Sequence, residues 1–342
     1  MAAGVAGASL WLGAAGAQSV YFGSLHSHTS YSDGSGTPAQ AYRAARLAGL
    51  DFFAITEHNH PAAEQGAKER ADGRLIATHP GLYSGRPASL RETADRLDVP
   101  GKFVTLYGQE FSTINSGNHV NVFQVPDVLR VRNGQYDELV AWGRASRDTS
   151  GQPPLMQMNH PGDPSKTAVD YGRDDFASVE AWVAALDPFV ELIEILSGPA
   201  LNPGLGLKPK RHETQYFKYL DLGFHAAPSS GQDNHYRNWG TSTNGRVAVI
   251  ADRLTRTDIM AALRSRHSYV TEDRNLRILF RANGALQGDI APAPPVGSAL
   301  HLTVSVHDDD EPNARYKIEV LTDHPSNGRG IKVASTTALQ GN

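Results

Sequence analysis

Histidine and carboxylate residues recur along this chain in short motifs that could bind metal ions. The first motif is an H-x-H pair, His26 and His28, and Asp33 follows five residues later. Imidazole and carboxylate groups bind divalent ions such as zinc, manganese and iron, and a carboxylate can bridge two ions. The full set of candidate ligands is His26, His28, Asp33, His58, Glu110, His119, His160, Asp233 and His235. This set predicts a cluster of divalent ions.

A single histidine near a strand is more often a hydrogen-bonded structural residue than a ligand. Here six of the 14 histidines lie at predicted strand ends together with three carboxylates, which favours metal binding. The other eight are assigned structural roles, although His60 and His212 could line the pocket. Glu57 beside His58 is interpreted as a structural carboxylate or a partner of a ligand. Glu194 is expected to orient a ligating imidazole, or else to be a barrel-interior charge paired with an arginine.

The composition limits which catalytic and metal-binding groups the protein can use and which partners it can bind. The 342 residues can form one large domain and a small one. Because the chain has no cysteine, disulfides, thiolate nucleophiles and cysteine-ligated zinc are excluded. A net charge of −4 provides no basic field, so an extended nucleic-acid partner is not expected.

The candidate ligands need strands that end at one place, and the sequence supplies alternating strands and helices. The first helix is predicted from Thr37, as N-cap, to Ala48, with Pro38 at its first position. Strands are predicted at 20–25, 51–56, 103–107, 119–125, 155–159, 190–196 and 224–228. Each candidate ligand lies at or just after a strand end. We therefore expect an α/β fold whose parallel strands close, or nearly close, into a barrel with the ligands at one mouth.

Two insertions and a tail interrupt this alternation. Segments 61–96 and 126–154 are rich in Gly, Pro and charge, and are predicted to be long irregular insertions of the kind that form lids or substrate walls. After residue 276, strand-like runs at 278–282, 300–306 and 316–321 predict a small β-sandwich-like module with few strands for a complete sandwich. A domain boundary is placed near 275, which divides residues 20–275 from 276–342.

The N-terminal residues 1–19 form an apolar stretch rich in alanine and glycine, in which Ala15-Gly16-Ala17 resembles a signal-peptidase site. This stretch is predicted to be a signal peptide, and the mature protein to be periplasmic or secreted. The usual basic region is missing because no Lys or Arg precedes the apolar residues. The alternative is an unstructured extension. Elsewhere no stretch approaches the roughly 18 uncharged apolar residues that a membrane span needs.

The motifs around the candidate ligands resemble those of the polymerase and histidinol phosphatase (PHP) superfamily of metal-dependent hydrolases. They read LHSHTSYSDG, ITEHN, YGQEF, GNHVN, NHP and GQDNH. The resemblance spans roughly residues 20–273 and implies a distorted (β/α)7 barrel with two or three divalent metal ions at the carboxyl ends of the strands. Residues 254–289 resemble the continuation found in the carbamate-hydrolase branch of that superfamily.

The resemblance also implies how the ligands are shared among the ions. One ion would be held by His26, His28, Glu110 and Asp233; Glu110 would bridge to a second ion bound by His119 and His160; and Asp33, His58 and His235 would hold a third. Glu110 and Asp233 are therefore predicted to be the most important residues for catalysis. Zinc, manganese and iron all suit such ligands, so the identity of the metal is left open.

The same ligands suggest a reaction. A bound divalent ion lowers the pKa of water toward neutrality and so makes hydroxide available as a nucleophile. The sequence contains no G-x-S-x-G motif, which leaves water as the simplest nucleophile. The electrophile could be phosphorus or carbon. Cations that could clamp a phosphoryl group are Arg173, Lys208, Lys210, Arg211 and Arg237, of which Arg237 is preferred as a catalytic residue.

The superfamily resemblance favours phosphoester hydrolysis, with small-molecule phosphodiesters as the predicted substrates. The alternative is a carbamate or carboxylic ester with an aryl leaving group. Residues that could contact such a group are Tyr171, Phe176, Trp182 and Trp239, although aromatic residues are more often part of the core. A second alternative is a non-catalytic, metal-stabilised binding domain, which would have no use for a complete ligand set. The oligomeric state is left open.

Overall fold

The computed structural model describes residues 19–61, 75–113, 118–164, 176–198, 209–322 and 331–339. These residues form a large curled sheet with helices around it, followed by two small sheets. The predicted signal peptide lies outside the described residues except for Ser19, so it stays a prediction, as does a periplasmic or secreted location. None of the described helices is both long and apolar enough to cross a lipid bilayer.

Ten strands build the large sheet. They are β1 (Ser19–Ser24), β2 (Phe52–His58), β3 (Val104–Phe111), β4 (His119–Phe123), β5 (Leu155–Asn159), β6 (Val190–Ser197), β7 (Lys210–Arg211), β8 (Ala227–Gly231), β9 (Arg246–Ala251) and β10 (Ser268–Thr271). Within the described ranges the α-helices are α1 (Pro38–Leu47), α2 (Leu90–Leu97), α3 (Tyr136–Ala145), α4 (Val179–Leu186), α5 (Glu213–Asp221) and α6 (Arg256–Arg264). The predicted strands and the first helix are therefore confirmed, with shifted ends.

The strand order is β10-β9-β1-β2-β3-β4-β5-β6-β7, and β8 also pairs with β6. The pairs β1–β2, β2–β3, β5–β6 and β6–β8 are parallel. The pairs β3–β4, β4–β5, β1–β9 and β9–β10 are antiparallel, so the prediction of parallel strands is wrong for this part of the sheet. Only residues 112–118 join β3 to β4, a connection too short for the crossover that parallel pairing requires.

The curled sheet closes at one end, where the segment after β1 pairs with the end of β8 and with the segment that follows it. The Leu25 amide donates to the Ser230 carbonyl at 3.3 Å, and the His28 amide donates to the Asn234 carbonyl at 2.9 Å. These backbone bonds bring the carboxyl end of β1 beside that of β8. The result is a mixed α/β fold consistent with a PHP-type barrel, whereas the (β/α)7 count stays a prediction.

Strand β2 shows why the core lies on both faces of the sheet. All seven of its residues are buried. Because side chains alternate along a strand, Phe53 and Ile55 pack into one apolar cluster and Phe52 and Ala54 into another. A strand covered on both faces reads as a continuous apolar run, which is the pattern in the sequence.

Helix α1 begins as its sequence predicts. The Thr37 hydroxyl accepts from the Gln40 amide at 3.3 Å, and the Thr37 amide donates to the Gln40 side chain at 2.9 Å, which completes a capping box. Pro38 occupies the first turn. On the buried side of the helix, the Tyr42 hydroxyl donates to the Leu106 carbonyl at 2.7 Å and so fixes α1 against β3.

The two insertions are more regular than predicted. Helix α2 lies in the first insertion and helix α3 in the second, so the prediction of irregular structure is wrong for these parts. In α3 the buried residues are Tyr136, Leu139, Val140 and Gly143, which follow helical spacing. The flanking Gly and Pro residues obscured this short apolar stripe in the sequence.

The tail forms two small antiparallel sheets. Strands β11 (Arg277–Ala282), β12 (Ala285–Leu286) and β13 (Leu302–His307) make the first, and β14 (Arg315–Thr322) with β15 (Ile331–Leu339) makes the second. Apolar side chains of β11 and β12 pack on Val20, Phe22 and Tyr269 of the large sheet. The sandwich-like arrangement and the boundary near residue 275 stay predictions.

Candidate metal centre

The structure brings all nine predicted ligands together at the closed end of the curled sheet. In the described part of the chain, four groups have ligand atoms within 4.8 Å of one another. They are His28 with Asp33, His58 and His235; His26 with His28 and Asp233; His26 with Glu110 and His160; and His58 with Glu110 and His119. The groups share members, so they form one continuous cluster.

Glu110, near the end of β3, lies at the centre of this cluster and is buried. Its Oε1 atom lies 3.2 Å from His26 Nε2, 3.0 Å from His119 Nδ1 and 3.5 Å from His160 Nε2. Its Oε2 atom lies 3.2 Å from His28 Nε2 and 3.1 Å from His58 Nδ1. Although two imidazoles are this close, Oε2 accepts no well-oriented hydrogen bond from the described residues. A buried carboxylate oxygen in this state suits a cation.

The two aspartates face the imidazoles on the other side of the cluster. Asp233 Oδ1 lies 3.2 Å from His26 Nε2 and 3.1 Å from His28 Nε2. Asp33 Oδ1 lies 3.1 Å from His235 Nε2. The His26 and His28 side chains converge because β1 ends at Ser24, so strand alternation no longer separates them.

The ring nitrogens that face away from the cluster have acceptors of their own. His26 Nδ1 lies 3.3 Å from Glu194 Oε1, His119 Nε2 lies 2.8 Å from the Thr113 carbonyl, and His235 Nδ1 lies 2.9 Å from the Asp233 carbonyl. In each ring this nitrogen would carry the proton and donate it, which leaves the opposite nitrogen with a lone pair directed into the cluster. Such outer hydrogen bonds fix the tautomer and orientation of metal-ligating histidines.

Of the two further carboxylates singled out in the sequence, Glu194 contacts two predicted ligands, whereas Glu57 contacts the loop between His28 and Asp33. Glu194 is fully buried on β6; besides facing His26, it accepts from the His160 amide at 2.7 Å. Glu57 is fully buried and accepts hydrogen bonds from the Thr29 amide and from the Thr29 and Ser32 hydroxyls. Burial raises the pKa of Glu57 to about 7, although these hydrogen bonds oppose the shift.

Sequence reasoning missed residues that hold Glu110 and the rings in place. Asn159 donates through Nδ2 to Glu110 Oε1 at 2.9 Å. The Ser112 hydroxyl lies 2.8 Å from His58 Nδ1. A signal was present, because Asn159 adjoins His160 and Ser112 follows shortly after Glu110. However, serine and asparagine occur in so many loops that these positions did not stand out.

The backbone at the centre is unusual at two residues, and a third position leaves no room for a side chain. His160 has a φ of 29° and Asp233 a φ of 48°, which are uncommon for residues other than glycine. Strained backbone of this kind concentrates at functional sites. At Gly231, an added Cβ atom would come within 2.4 Å of Glu194 Oε1 and 2.3 Å of the His26 Cβ. The missing side chain at Gly231 is what allows Glu194 to approach His26.

Burial and mutual charge control the protonation of the cluster. Burial lowers the pKa of His58 to about 3 even though Asp33 and Glu110 lie beside it. Burial also lowers the pKa of His28, but the adjacent carboxylates of Asp233 and Glu110 outweigh it and raise the value to about 10. Burial opposes ionisation of the three carboxyls as well, yet the neighbouring imidazoles hold their pKa values well below the usual range. The carboxylates are thus negative groups that require positive partners.

The predicted cations are less well placed than the ligands. Arg237 is exposed, and among the described residues no hydrogen bond or ion pair joins it to the cluster. Arg211 pairs instead with Glu213 and Glu272. Lys210 is exposed at the edge of the sheet, whereas Arg173 and Lys208 lie outside the described residues. The catalytic role of Arg237 stays a prediction.

The predicted aromatic cleft is not formed by the residues that the structure describes. Trp182 is buried in the core against Tyr136 and Phe224. Trp239 is buried and donates through Nε1 to the His28 carbonyl at 3.1 Å, so it helps to hold the backbone of a predicted ligand in place. Phe176 packs against the same core as Trp182, and Tyr171 lies outside the described residues.

No protein-family model and no curated protein matches the sequence. The fold is similar to that of a two-domain protein from Bacteroides vulgatus described as containing a predicted PHP-like metal-dependent phosphoesterase. The TM-score is 0.50 at 15% identity, over 95% of this chain and 84% of that one. This likeness is one of fold alone, and the observed fold is consistent with a PHP-type barrel.

Two further solved structures align less well. A putative metal-dependent phosphoesterase from Bifidobacterium adolescentis gives a TM-score of 0.33 at 16% identity, over 64% of this chain and 88% of that one. The lesion-specific endonuclease EndoQ from Pyrococcus furiosus gives 0.36 at 14% identity, over 72% and 56%. The specific resemblance to the carbamate-hydrolase branch stays a prediction.

Proposed function

We propose that the protein is a metal-dependent hydrolase that cleaves phosphoesters, with phosphodiesters of small molecules as its substrates. The observation that carries this proposal is the position of Glu110. Its two oxygens face different sets of imidazoles, which is the arrangement that a carboxylate needs in order to bridge two ions.

The residues present fit divalent ions. The donors are imidazole and carboxylate groups, which suit zinc, manganese and iron. The first ion would be held by His26, His28, Glu110 and Asp233, the second by Glu110, His119 and His160, and a third by Asp33, His58 and His235. The grouping of ligand atoms follows this division only in part. His160 groups with His26 and Glu110, His119 groups with His58 and Glu110, and His28 joins the residues of the third site.

When bound, such ions would make water nucleophilic at neutral pH and polarise the oxygen atoms of the substrate. The protein supplies the remaining functions. Asp233 is placed to accept a proton, because its side chain is 12% exposed beside the fully buried His26 and His28. Its lowered pKa keeps the carboxyl ionised, which is the form that binds a cation. Glu194 and Trp239 orient the ligands through the bonds described above.

The choice of phosphorus over carbon rests on resemblance. The sequence motifs resemble the PHP superfamily, and the similar fold from Bacteroides vulgatus carries a description as a predicted phosphoesterase. Carbamate or carboxylic ester hydrolysis, and a non-catalytic binding role, are the outcomes against which the proposal is tested. A small-molecule substrate, without extended nucleic acid, belongs to the proposal as well.

The test combines metal analysis of the purified protein with hydrolysis of p-nitrophenyl phosphate, bis(p-nitrophenyl) phosphate and an aryl N-methylcarbamate. We expect two or three ions per chain and diester turnover that a chelator abolishes and added metal restores. Carbamate turnover alone would reassign the reaction to carbon. A protein that binds no metal under any loading condition would contradict the proposal that it is a metal-dependent hydrolase.

A further inference from the structure

The fully buried His28 ring faces the cluster through its Nε2 atom. This atom lies 3.1 Å from Asp233 Oδ1, 3.2 Å from Glu110 Oε2 and 3.2 Å from His26 Nε2. A neutral imidazole presents a lone pair at Nε2 only when its other nitrogen, Nδ1, carries the proton. A buried N–H group needs an acceptor. The partner of His28 Nδ1 therefore decides whether His28 can bind an ion through Nε2.

The Ser32 hydroxyl lies where this acceptor is needed. Ser32 is fully buried, and its Oγ atom lies 3.4 Å from His28 Nδ1, which is a long hydrogen bond. Asp33 Oδ1 lies 3.9 Å from the same nitrogen, which is too far for a hydrogen bond. A hydroxyl has one proton and two lone pairs. Ser32 can therefore accept from His28 only if its own proton is directed elsewhere.

Glu57 accepts the Ser32 proton. Among the described residues the Ser32 hydroxyl has two carboxylates within reach, a close contact with Glu57 and a contact of 3.4 Å with Asp33 Oδ1. The buried Glu57 carboxylate is fixed by the Thr29 amide, which lies 3.0 Å from Oε1 and 3.1 Å from Oε2, and by the Thr29 hydroxyl. Because a carboxylate only accepts hydrogen bonds, Glu57 directs the Ser32 proton away from His28.

We propose that Glu57 sets the tautomer of His28 through Ser32. Hydrogen bonds run from His28 Nδ1–H to the Ser32 oxygen and from the Ser32 hydroxyl to the Glu57 carboxylate. They leave the lone pair of His28 at Nε2, beside the carboxylates of the first ion, and make Nδ1 unable to bind the third. Glu57 and Ser32 are positioning residues and hold no metal. This inference rests on the metal centre of the proposed function, but not on the reaction.

The variant Ser32→Ala removes the acceptor of His28 Nδ1. We expect the affinity for one ion to fall about 10–100-fold, as is usual when a ligating histidine loses its outer partner. Competition with a chromogenic chelator measures it. The matched control is Ser30→Ala in the same loop, because Ser30 is equally buried and its hydroxyl has no hydrogen-bond partner among the described residues. This control should bind ions like the wild type.

Cobalt(II)-substituted protein provides a direct observation of the His28 proton. When an imidazole binds cobalt through one nitrogen, the proton on the other nitrogen gives a hyperfine-shifted NMR signal that disappears in D2O. We expect one such signal to be lost, or to exchange faster with solvent, in Ser32→Ala but not in Ser30→Ala. A general loss of stability would not select the signal of one histidine.

The variant Glu57→Gln tests whether Glu57 acts through Ser32. The glutamine NH2 group can donate to Ser32, whose own proton would then turn toward His28 Nδ1 and favour the opposite tautomer. We expect ion binding to weaken about 10–100-fold when Glu57→Gln is made alone, and to change little further when it is added to Ser32→Ala. Losses that add in the double variant would mean that Glu57 supports the centre by another route, and would overturn the inference.

The outcomes separate this inference from the proposed function. Unchanged ion affinity together with unchanged exchangeable signals in Ser32→Ala would overturn the inference and leave the hydrolase proposal intact. If the variants behave as expected but the metal-loaded wild type cleaves no phosphodiester, the hydrogen-bond chain stands and the proposed reaction fails. A wild type that binds no ion would contradict both.

Discussion

At the scale of single residues, Glu110 is the group on which the metal centre depends most. Each of its oxygens faces a different set of imidazoles. In Glu110→Gln, a neutral amide would replace the bridging charge, and its NH2 group would have no lone pair to offer a cation. We expect loss of at least one ion per chain and a fall in kcat of about 100-fold or more, which metal analysis and diester hydrolysis would measure.

The matched control is Glu319→Gln, an exposed carboxylate on β14 that pairs with Lys317. This variant should bind the same number of ions as the wild type and hydrolyse the diester at the same rate. Full metal occupancy together with unchanged turnover in Glu110→Gln would show that the bridging role is wrong.

A second residue-scale effect concerns Glu191, which lies on β6 at the far end from the metal centre. Burial raises the pKa of its carboxyl from 4.5 to about 8, and Arg264 opposes the shift too weakly to reverse it. Between these two values the folded protein holds a proton that the unfolded chain releases. Stability linked to Glu191 is therefore present below pH 4.5 and is lost as pH rises toward 8.

The variant Glu191→Gln removes this titration. We expect the difference in unfolding free energy between variant and wild type to move in favour of the variant as pH rises from about 5 to about 8. Urea unfolding at several pH values measures it. Because both proteins share the metal centre, its titration cancels in the difference. Glu180→Gln, on an exposed carboxylate, is the control, and a difference that does not change with pH would refute the assignment.

The sequence was sufficient to predict which residues would converge on one site, because their chemistry is rare. Histidines and acids that recur in short motifs at strand ends seldom serve a purpose besides metal binding, and all nine residues converge as expected. Supporting residues were harder to find. Asn159 reaches Glu110 across 49 positions of sequence, and nothing in either motif specifies that contact.

At the scale of elements, strand positions were predictable and strand directions were not. Apolar runs located β1 to β6, and the capping residues located α1. Direction depends on the path of the connecting segment. The short link from β3 to β4 requires a reversal, and the antiparallel β4–β5 pair follows from it. Helix α3 was missed because turn residues surround a stripe of only four buried positions.

The end of strand β8 allows a test of how closely β8 and β6 must pack for the site to form. It ends at Gly231, where an added Cβ atom would come within 2.4 Å of Glu194 Oε1. In Gly231→Ala, β8 and β6 must separate or Glu194 must leave His26. Overpacking of this kind costs about 1–3 kcal/mol, and loss of an orienting partner weakens metal binding about 10–100-fold. Thermal unfolding and metal titration would detect both effects.

Gly245→Ala is the matched control for this experiment. The nearest atoms to its added Cβ would lie 3.4 and 3.5 Å away, which is ordinary packing. This variant should bind metal like the wild type. Equal metal affinity in Gly231→Ala and Gly245→Ala would mean that contact between Glu194 and His26 does not support the site.

At the scale of the whole molecule, the tail is joined to the barrel through β10. The Tyr269 hydroxyl donates to the Leu276 carbonyl at 2.6 Å and accepts from the Ile278 amide at 3.0 Å. Around it, Leu286 of β12 packs on the outer face of the sheet with Val20. The composition change near residue 275 predicts a boundary in the sequence, but only the structure shows that residues on both sides of it share an apolar cluster.

The variant Tyr269→Phe tests whether barrel and tail unfold together. It leaves the Leu276 carbonyl and the Ile278 amide without their partner, at a cost of about 1–3 kcal/mol. The tail residues 276–342 contain no tryptophan, so tryptophan fluorescence reports on the barrel. We expect the barrel transition to shift to lower temperature. Tyr316→Phe, whose hydroxyl bonds Asp308 within the tail, is the control. If the transition temperature measured by tryptophan fluorescence is the same in Tyr269→Phe as in Tyr316→Phe, barrel and tail unfold as independent units.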